Sequence, residues 1–270
     1  MTGNTKRFKV RQRIGQYRIE SCLAVGGFAE VYRAYDTVLG RRVALKIPLD
    51  HLSGQDMQAA FQTEARIAGG LDHPNILPVS HAAKIDGRFL IVTPLGKESL
   101  ADRLERRVGR PFTLEVVEQL LEALAYAHGK KVIHCDVKPE NILLFDDGLV
   151  RLADFGLARL ANRTVNASGS GTLGYMAPEQ ALGKPSPRSD VFSAGMILWR
   201  MMAGDIPEWP FHAPYPGTAR ARRGFSSAMV DLAHRSTDVE PRFRFADART
   251  MLQAFRRVRA QAVKKSRSVR

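Results

Sequence analysis

The stretch from His134 to Asn141 constrains this chain more than any other, because it concentrates reactive side chains in one short loop. It reads His-Cys-Asp-Val-Lys-Pro-Glu-Asn, and Asp154-Phe-Gly156 follows it. Asp136 can accept a hydrogen bond from an attacking hydroxyl, and Lys138 can neutralise charge on a moving phosphoryl group. Asn141 and Asp154 offer the hard oxygen ligands that Mg²⁺ prefers. The stretch therefore indicates phosphoryl transfer from a magnesium-bound triphosphate.

Taken alone, this spacing has an ordinary alternative explanation, because His, Asp and Asn are common turn formers in loops. Further motifs in a fixed order favour the chemical interpretation. They are Ala24-Val-Gly-Gly-Phe-Ala-Glu-Val31, Val43-Ala-Leu-Lys46, Leu71-Asp-His-Pro-Asn-Ile76 and Gly171-Thr-Leu-Gly-Tyr-Met-Ala-Pro-Glu179. With the central stretch, they resemble the eukaryotic-like (Hanks-type) Ser/Thr protein kinase catalytic domain, bacterial type, over roughly residues 17 to 255.

The resemblance implies an α+β, two-lobed protein kinase fold. The smaller N-lobe is expected to be mainly antiparallel β with one helix, and the larger C-lobe mainly helical. We expect a basic N-terminal extension over residues 1–16, the N-lobe over 17–95, the C-lobe over 96–255 and a basic C-terminal tail over 256–270.

Two end segments, residues 1–18 and 256–270, carry nearly all of the formal net charge of +14. Neither end contains an acidic residue, so the body of the chain is close to neutral and both ends are expected to be mobile. Nucleic-acid binding by the ends is one alternative, but we expect solvated segments and no specific nucleic-acid partner. The basic residues of the ends are Lys6, Arg7, Lys9, Arg11, Arg13, Arg18, Arg256, Arg257, Arg259, Lys264, Lys265, Arg267 and Arg270.

The glycine-containing segment is expected to cover the phosphates of ATP. Gly26 and Gly27 allow a close approach of the backbone, and Val31 can pack on an adenine ring. Ala24 and Ala29 replace two glycines of the family pattern, and on its own the Gly26-Gly27 pair would be an ordinary hairpin turn.

By the same resemblance, the segment that ends at Gly96 is the hinge between the lobes. Thr93 holds the gatekeeper position, the Pro94 carbonyl faces the adenine amino group, and Gly96 offers an N–H. Proline has no backbone N–H, but the family does not use an N–H at this position to bind the nucleotide. Ala44 and Leu143 complete the implied adenine site.

The resemblance also implies pairings and roles outside these two segments. Lys46 pairs with Glu64 of a predicted helix over 57–67 and reaches the α- and β-phosphates. Thr172 bridges Asp136 and Lys138. Glu179 pairs with Arg244, and Asp190 braces the backbone of the catalytic loop. A lone strand lysine would otherwise be a solvated surface residue.

Helical spacing predicts two further helices. The first runs from Thr113, as N-cap, to His128 before Gly129, and the second runs from Ser189 to Ala203 and is apolar nearly all round. Pro207, Pro210, Pro214 and Pro216 exclude a long helix in the region where the family docks substrates.

Cys135 stands where the family usually has an arginine that gathers an activation-loop phosphate. A small packed residue is the ordinary interpretation, and a redox-active thiol is the alternative. We expect activity to depend little on phosphorylation of Thr164, Ser168 or Ser170.

The sequence thus predicts a Ser/Thr protein kinase that uses ATP and Mg²⁺, acts on protein hydroxyls and can phosphorylate itself, for example at Ser266 or Ser268. The alternatives are an ATP-binding pseudokinase or signalling scaffold and a small-molecule kinase. Two distant cysteines, no apolar run of membrane-spanning length and no readable secretory signal predict a cytoplasmic chain without a membrane span.

Overall fold

The computed structural model describes residues 8–27, 29–49, 55–155, 173–211 and 214–267. The chain divides into two compact units, which we call the small unit and the large unit. The small unit comprises residues 1–72, 77–96 and 154–160, and the large unit comprises residues 73–76, 97–153 and 161–270.

The small unit is built on an antiparallel six-stranded sheet with the strand order β1-β2-β3-β4-β6-β5. Alternation along β3 sends Tyr32 and Ala34 into the core with Leu45 and Leu90. One helix, α1, accompanies the sheet and buries Phe61. The elements are β1 (Arg13–Ile14), β2 (Tyr17–Val25), β3 (Ala29–Asp36), β4 (Arg41–Pro48), α1 (Gln55–Gly69), β5 (His81–Ile85) and β6 (Arg88–Pro94).

Residues 8–16 of the basic N-terminal extension pack on the sheet, where the sequence predicted a mobile segment. Ile14 is 2% exposed within the sheet core, and Phe8 packs edge-on against Tyr32 with ring centroids 5.5 Å apart. Arg88 lies over the Phe8 ring. The apolar side chains of Phe8 and Ile14 attach this segment to the sheet, although its net charge is strongly positive.

The large unit is mainly helical. A small antiparallel sheet of order β7-β8-β9 carries the loop that follows α3. Its elements are β7 (Glu98–Ser99), α2 (Leu100–Leu104), α3 (Arg110–Gly129), β8 (Ile142–Leu144), β9 (Val150–Leu152), α4 (Pro178–Ala181), α5 (Pro187–Ala203), α6 (Thr218–Gly224), α7 (Ser227–Ser236) and α8 (Ala248–Arg267). Among the residues that the structure describes, no helix is long and apolar enough to cross a membrane.

Helix α5 is central to the large unit, as its sequence predicts. Almost every residue from Ser189 to Ala203 is buried, so the helix contacts neighbours on all sides. Its start is fixed by a capping box between Ser186 and Ser189, and Gly204 ends it in the left-handed conformation with φ of 86°. The observed helix begins at Pro187, two residues before the predicted start.

Helix α3 begins earlier than predicted, at Arg110, and its N-cap is Gly109. Thr113 is therefore not the N-cap. It is fully buried inside the helix, where its hydroxyl donates to the Gly109 carbonyl at 3.1 Å. Pro111 in the first turn explains the early start, because a proline there loses no intrahelical hydrogen bond.

Helix α8 runs past the predicted start of the tail at residue 256. Arg256 pairs with Glu118 and Glu122 of α3, and Arg259 pairs with Glu118 as well. These ion pairs hold the part of α8 that contains Arg256 and Arg259 against α3.

A buried ion pair joins α4 to the segment after α7, as predicted. The Arg244 guanidinium donates to both carboxylate oxygens of Glu179, at 2.8 and 3.0 Å. The Arg244 side chain has no exposed surface, and Ser189 of α5 also donates to Glu179 at 2.7 Å. The pair therefore connects three segments of the large unit.

Replacing Arg244 with Met is expected to lower the free energy of unfolding by about 3–5 kcal/mol, because Glu179 loses its buried charged partner. Chemical denaturation measures the change. Arg242→Met is the matched control, since Arg242 is largely exposed and lies 3.8 Å from Glu240. Equal stabilities of the two variants would contradict the assigned importance of the pair.

At Gly195, α5 lies close to the end of α7. A Cβ atom at this position would lie 2.6 Å from Cβ of Ser236 and 2.9 Å from Cγ2 of Thr237. We expect Gly195→Ala to lower the free energy of unfolding by about 1–3 kcal/mol through overpacking. Gly69→Ala at the end of α1 is the control, because open space surrounds that position. A Gly195 variant as stable as the Gly69 variant would refute the close contact.

Candidate functional site

The loop between α3 and β8 brings together three of the predicted site residues. Lys138 Nζ lies 2.9 Å from Oδ2 of Asp136, and the Asn141 amide nitrogen donates to the same oxygen at 2.9 Å. Asn141 also donates to the Asp136 carbonyl at 2.8 Å. A short 3₁₀ turn, Pro139–Asn141, folds Asn141 back onto Asp136. Because both side-chain contacts use Oδ2, the orientation of the Asp136 carboxylate is fixed.

His134 orients this loop from within. Its ring is fully buried, and Nδ1 accepts the backbone N–H of Asp136 at 3.2 Å. A backbone N–H can only donate, so Nδ1 carries no proton and Nε2–H donates to the Ala153 carbonyl at 2.8 Å. His134 thus connects the backbone of Asp136 to the residue that precedes Asp154.

Asp190 braces the same loop, as predicted. Its carboxylate accepts the backbone N–H groups of His134 and Cys135, both at 2.8 Å, and it is 1% exposed. His128 Nε2 contacts it at 2.9 Å, while His128 Nδ1 accepts the Ala248 N–H. The His128 imidazole therefore donates from Nε2. The buried Asp190 carboxylate thus accepts three hydrogen bonds, which offset the cost of burying its charge.

Cys135 adopts a left-handed backbone conformation with φ of 61°, which costs a non-glycine residue about 1–3 kcal/mol. The conformation is held from both sides. Its N–H donates to Asp190, and its carbonyl accepts from Nε2 of Gln180 at 2.6 Å. Cys135, Asp136, Lys138, Tyr175 and Gln180 line a shallow cleft in the large unit.

The small unit brings together the second group of predicted site residues. Lys46 Nζ lies 2.6 Å from Glu64 and 2.7 Å from Oδ1 of Asp154, so the predicted ion pair is present. Burial alone would lower the pKa of Lys46, but the two carboxylates outweigh it and raise that pKa. Lys46 is therefore cationic at neutral pH.

Glu64 is the less satisfied partner of this ion pair. Its Oε2 is buried and has no hydrogen-bond partner among the described residues. Burial raises the pKa of the Glu64 carboxyl, Lys46 opposes the rise, and Asp154 adds to it. Like Cys135, Asp154 has a positive φ, of 64°. Strained backbone of this kind is often found at functional sites.

The predicted nucleotide-binding residues fall in both units. Gly26 and Gly27 connect β2 to β3, and the Gly26 N–H donates to the Ala29 carbonyl at 2.8 Å. The remaining positions of the small unit lie on adjacent strands or directly after them. Val31 is opposite Lys46, Ala44 is opposite Thr93, Pro94 is opposite Val43, and Gly96 follows β6. Leu143 is half-buried in β8 of the large unit.

Thr172 and Gly156 lie outside the described residues, as do Thr164, Ser168 and Ser170. The sequence did not predict that His128 and Gln180 help to hold the loop that carries Asp136. His128 acts through the Asp190 carboxylate and Gln180 through the Cys135 carbonyl, and no motif spacing indicates either contact.

Asn141 of the large unit and Asp154 of the small unit each carry an oxygen atom of the kind that a hard cation prefers. Because the Asn141 amide nitrogen donates to Asp136, the amide oxygen is the remaining ligand atom of Asn141. Within the described ranges, no group of three or more His, Cys, Asp or Glu side chains could hold a metal ion.

Comparisons with known proteins identify the family of this chain. The protein kinase domain model matches residues 17–246. The chain is 37% identical to the serine/threonine-protein kinase PknA of Mycobacterium tuberculosis, over 72% of this chain and 48% of the relative. It is 34% identical to the serine/threonine-protein kinase PrkC of Bacillus subtilis, over 72% of this chain and 31% of the relative. The chain thus spans about half or less of the length of these relatives.

Solved structures show the same fold. The kinase domain of PknI from Mycobacterium tuberculosis superposes with a TM-score of 0.71 at 25% identity, covering 93% of this chain and 99% of the other. The apo form of PpkA-294 gives a TM-score of 0.76 at 23% identity, covering 92% and 99%. The predicted α+β kinase fold is confirmed, and the chain belongs to the protein kinase domain family.

Proposed function

We propose that this chain is a Ser/Thr protein kinase that transfers the γ-phosphoryl group of Mg-ATP to hydroxyl groups of proteins. The observation that carries the proposal is the arrangement around Asp136, whose Oδ2 contacts both Lys138 and Asn141. The names of the relatives support Ser and Thr as acceptors.

Each side chain of the loop has a distinct proposed role. Asp136 accepts the hydrogen bond of the acceptor hydroxyl and orients it. Lys138, 2.9 Å from Asp136, neutralises charge that develops on the transferred group. The hydrogen bonds of Asn141 and His134 limit the movement of Asp136, so that little reorganisation is needed before transfer.

The other residues hold the nucleotide and its metal in this proposal. Lys46, kept cationic by Glu64 and Asp154, binds the α- and β-phosphates. Gly26, Gly27, Val31, Ala44, Thr93, Pro94, Gly96 and Leu143 form the ATP site. Asn141 and Asp154 would supply oxygen ligands to Mg²⁺, which would neutralise phosphate charge.

We also propose that no phosphate switch acts through Cys135. Its thiol offers no cation to a phosphate, and its backbone is already held by Asp190 and Gln180. The loop conformation is therefore supported without an activation-loop modification. Cys22 and Cys135 form no disulfide with each other, which supports a reducing compartment such as the cytoplasm.

Asp136→Asn is expected to lower phosphate incorporation from radiolabelled ATP into casein by about 10²–10⁴-fold, because the amide no longer orients the hydroxyl as a carboxylate does. Asp146→Asn is the matched control, since Asp146 is an exposed carboxylate at the β8–β9 turn. Absence of incorporation by the wild type, with ATP analogue binding intact, would favour the scaffold alternative.

Phosphatase treatment is expected to leave most of the turnover of the wild type intact. The Cys135→Arg variant supplies a cation that can pair with a phosphate, so its turnover is expected to fall after the same treatment. Mass spectrometry verifies that phosphate has been removed. A wild type that loses most of its turnover after treatment would refute the proposed independence.

A further inference from the structure

We infer that Gln180 is a positioning residue for Asp136, and that it couples the segment after Ala177 to the catalytic loop through the peptide bond between Cys135 and Asp136. The inference rests on the proposed function and adds a residue to it. Gln180 is 5% exposed and belongs to α4.

The peptide group between Cys135 and Asp136 is held at both ends. Its carbonyl oxygen accepts from Gln180 Nε2 at 2.6 Å, and its N–H donates to Nδ1 of His134 at 3.2 Å. A peptide group is planar, so two hydrogen bonds on opposite edges fix its orientation. The plane directly precedes the Cα atom of Asp136 and therefore sets the direction in which that side chain leaves the backbone.

The two hydrogen bonds have different origins. His134 belongs to the loop itself, so its contact moves with the loop. Gln180 reaches the loop from α4, 45 positions along the chain. The Gln180 contact is therefore the one that relates this peptide plane to another part of the large unit.

Gln180 is itself held in place by its neighbour. Glu179 makes the bidentate ion pair with the fully buried Arg244 and accepts from Ser189 at 2.7 Å. The Gln180 N–H donates to the Ala177 carbonyl at 3.0 Å. With the backbone fixed at residue 179, the Gln180 amide has little freedom to follow a displaced loop.

The hydrogen bond from Gln180 stabilises the left-handed backbone conformation of Cys135. A residue with φ of 61° tends to relax to negative φ, which would rotate the peptide plane before Asp136. Asp190 holds one side of Cys135 and Gln180 holds the other. If the Gln180 donor is removed, the Asp190 carboxylate is the only one of these two contacts that still opposes the rotation.

The test compares Gln180→Met, which keeps the volume but has no donor, with Gln180→Glu, which presents an acceptor to the Cys135 carbonyl. We expect kcat for casein phosphorylation to fall roughly tenfold in the Met variant and further in the Glu variant. KM for ATP is expected to stay within about twofold, because Asp136 acts on the hydroxyl and not on the nucleotide. A role in packing alone would spare the Met variant.

Hydrogen exchange of the 133–138 peptide gives a readout that needs no activity. We expect faster exchange in both Gln180 variants than in the wild type, because the Asp136 N–H lies in the released plane. Gln119→Met is the matched control. Gln119 also donates to a backbone carbonyl, that of Gly148 at 3.2 Å, and it lies in α3 of the same unit.

The outcomes separate this inference from the proposed function. Faster exchange with reduced kcat in the Gln180 variants, and neither change in the Gln119 variant, supports the inference. Unchanged exchange in the Gln180 variants overturns it, as does the same change in the Gln119 variant. A wild type without phosphate incorporation overturns the proposed function, and the exchange rates then still decide whether Gln180 holds the loop.

Discussion

The loop that carries Asp136 depends on one buried carboxylate, that of Asp190. Two backbone N–H groups of the loop and the Nε2–H of His128 donate to it, so that a polar group in the core of the large unit has its hydrogen-bond partners. Because α5 is buried almost all round, Asp190 cannot move without disturbing the core. The loop is therefore attached to a helix that is buried along nearly its whole length, which limits the movement of Asp136.

The parts of the site that are local in sequence were predictable. Asp136, Lys138 and Asn141 lie within six positions, so a tight turn must bring them together whatever the rest of the chain does. The pair of Lys46 with Glu64 and the pair of Glu179 with Arg244 are long-range contacts, and the sequence predicted them only through the resemblance to kinases. Gln180 could not be predicted, because its partner is a backbone carbonyl that has no signature in the sequence.

The two ends of the chain show where charge is a weak guide to structure. A high density of arginine and lysine predicted mobile segments, since charged chains bury little apolar surface. In the structure, Phe8 and Ile14 pack residues 8–16 onto the sheet, and Glu118 and Glu122 of α3 pair with Arg256 and Arg259. A few specific contacts decide whether a basic segment packs on the fold, and the amino-acid composition does not reveal those contacts.

The capping box at Ser186 and Ser189 places the start of α5 beside two carboxylates. Glu179 contacts the Ser189 hydroxyl, and Asp190 lies in the first helical turn. The N-terminus of a helix carries a partial positive charge from its aligned peptide dipoles, which stabilises nearby anions. This charge belongs to the backbone and does not titrate. The macrodipole of α5 therefore gives both carboxylates a source of stabilisation that no change in the protonation of neighbouring side chains can remove.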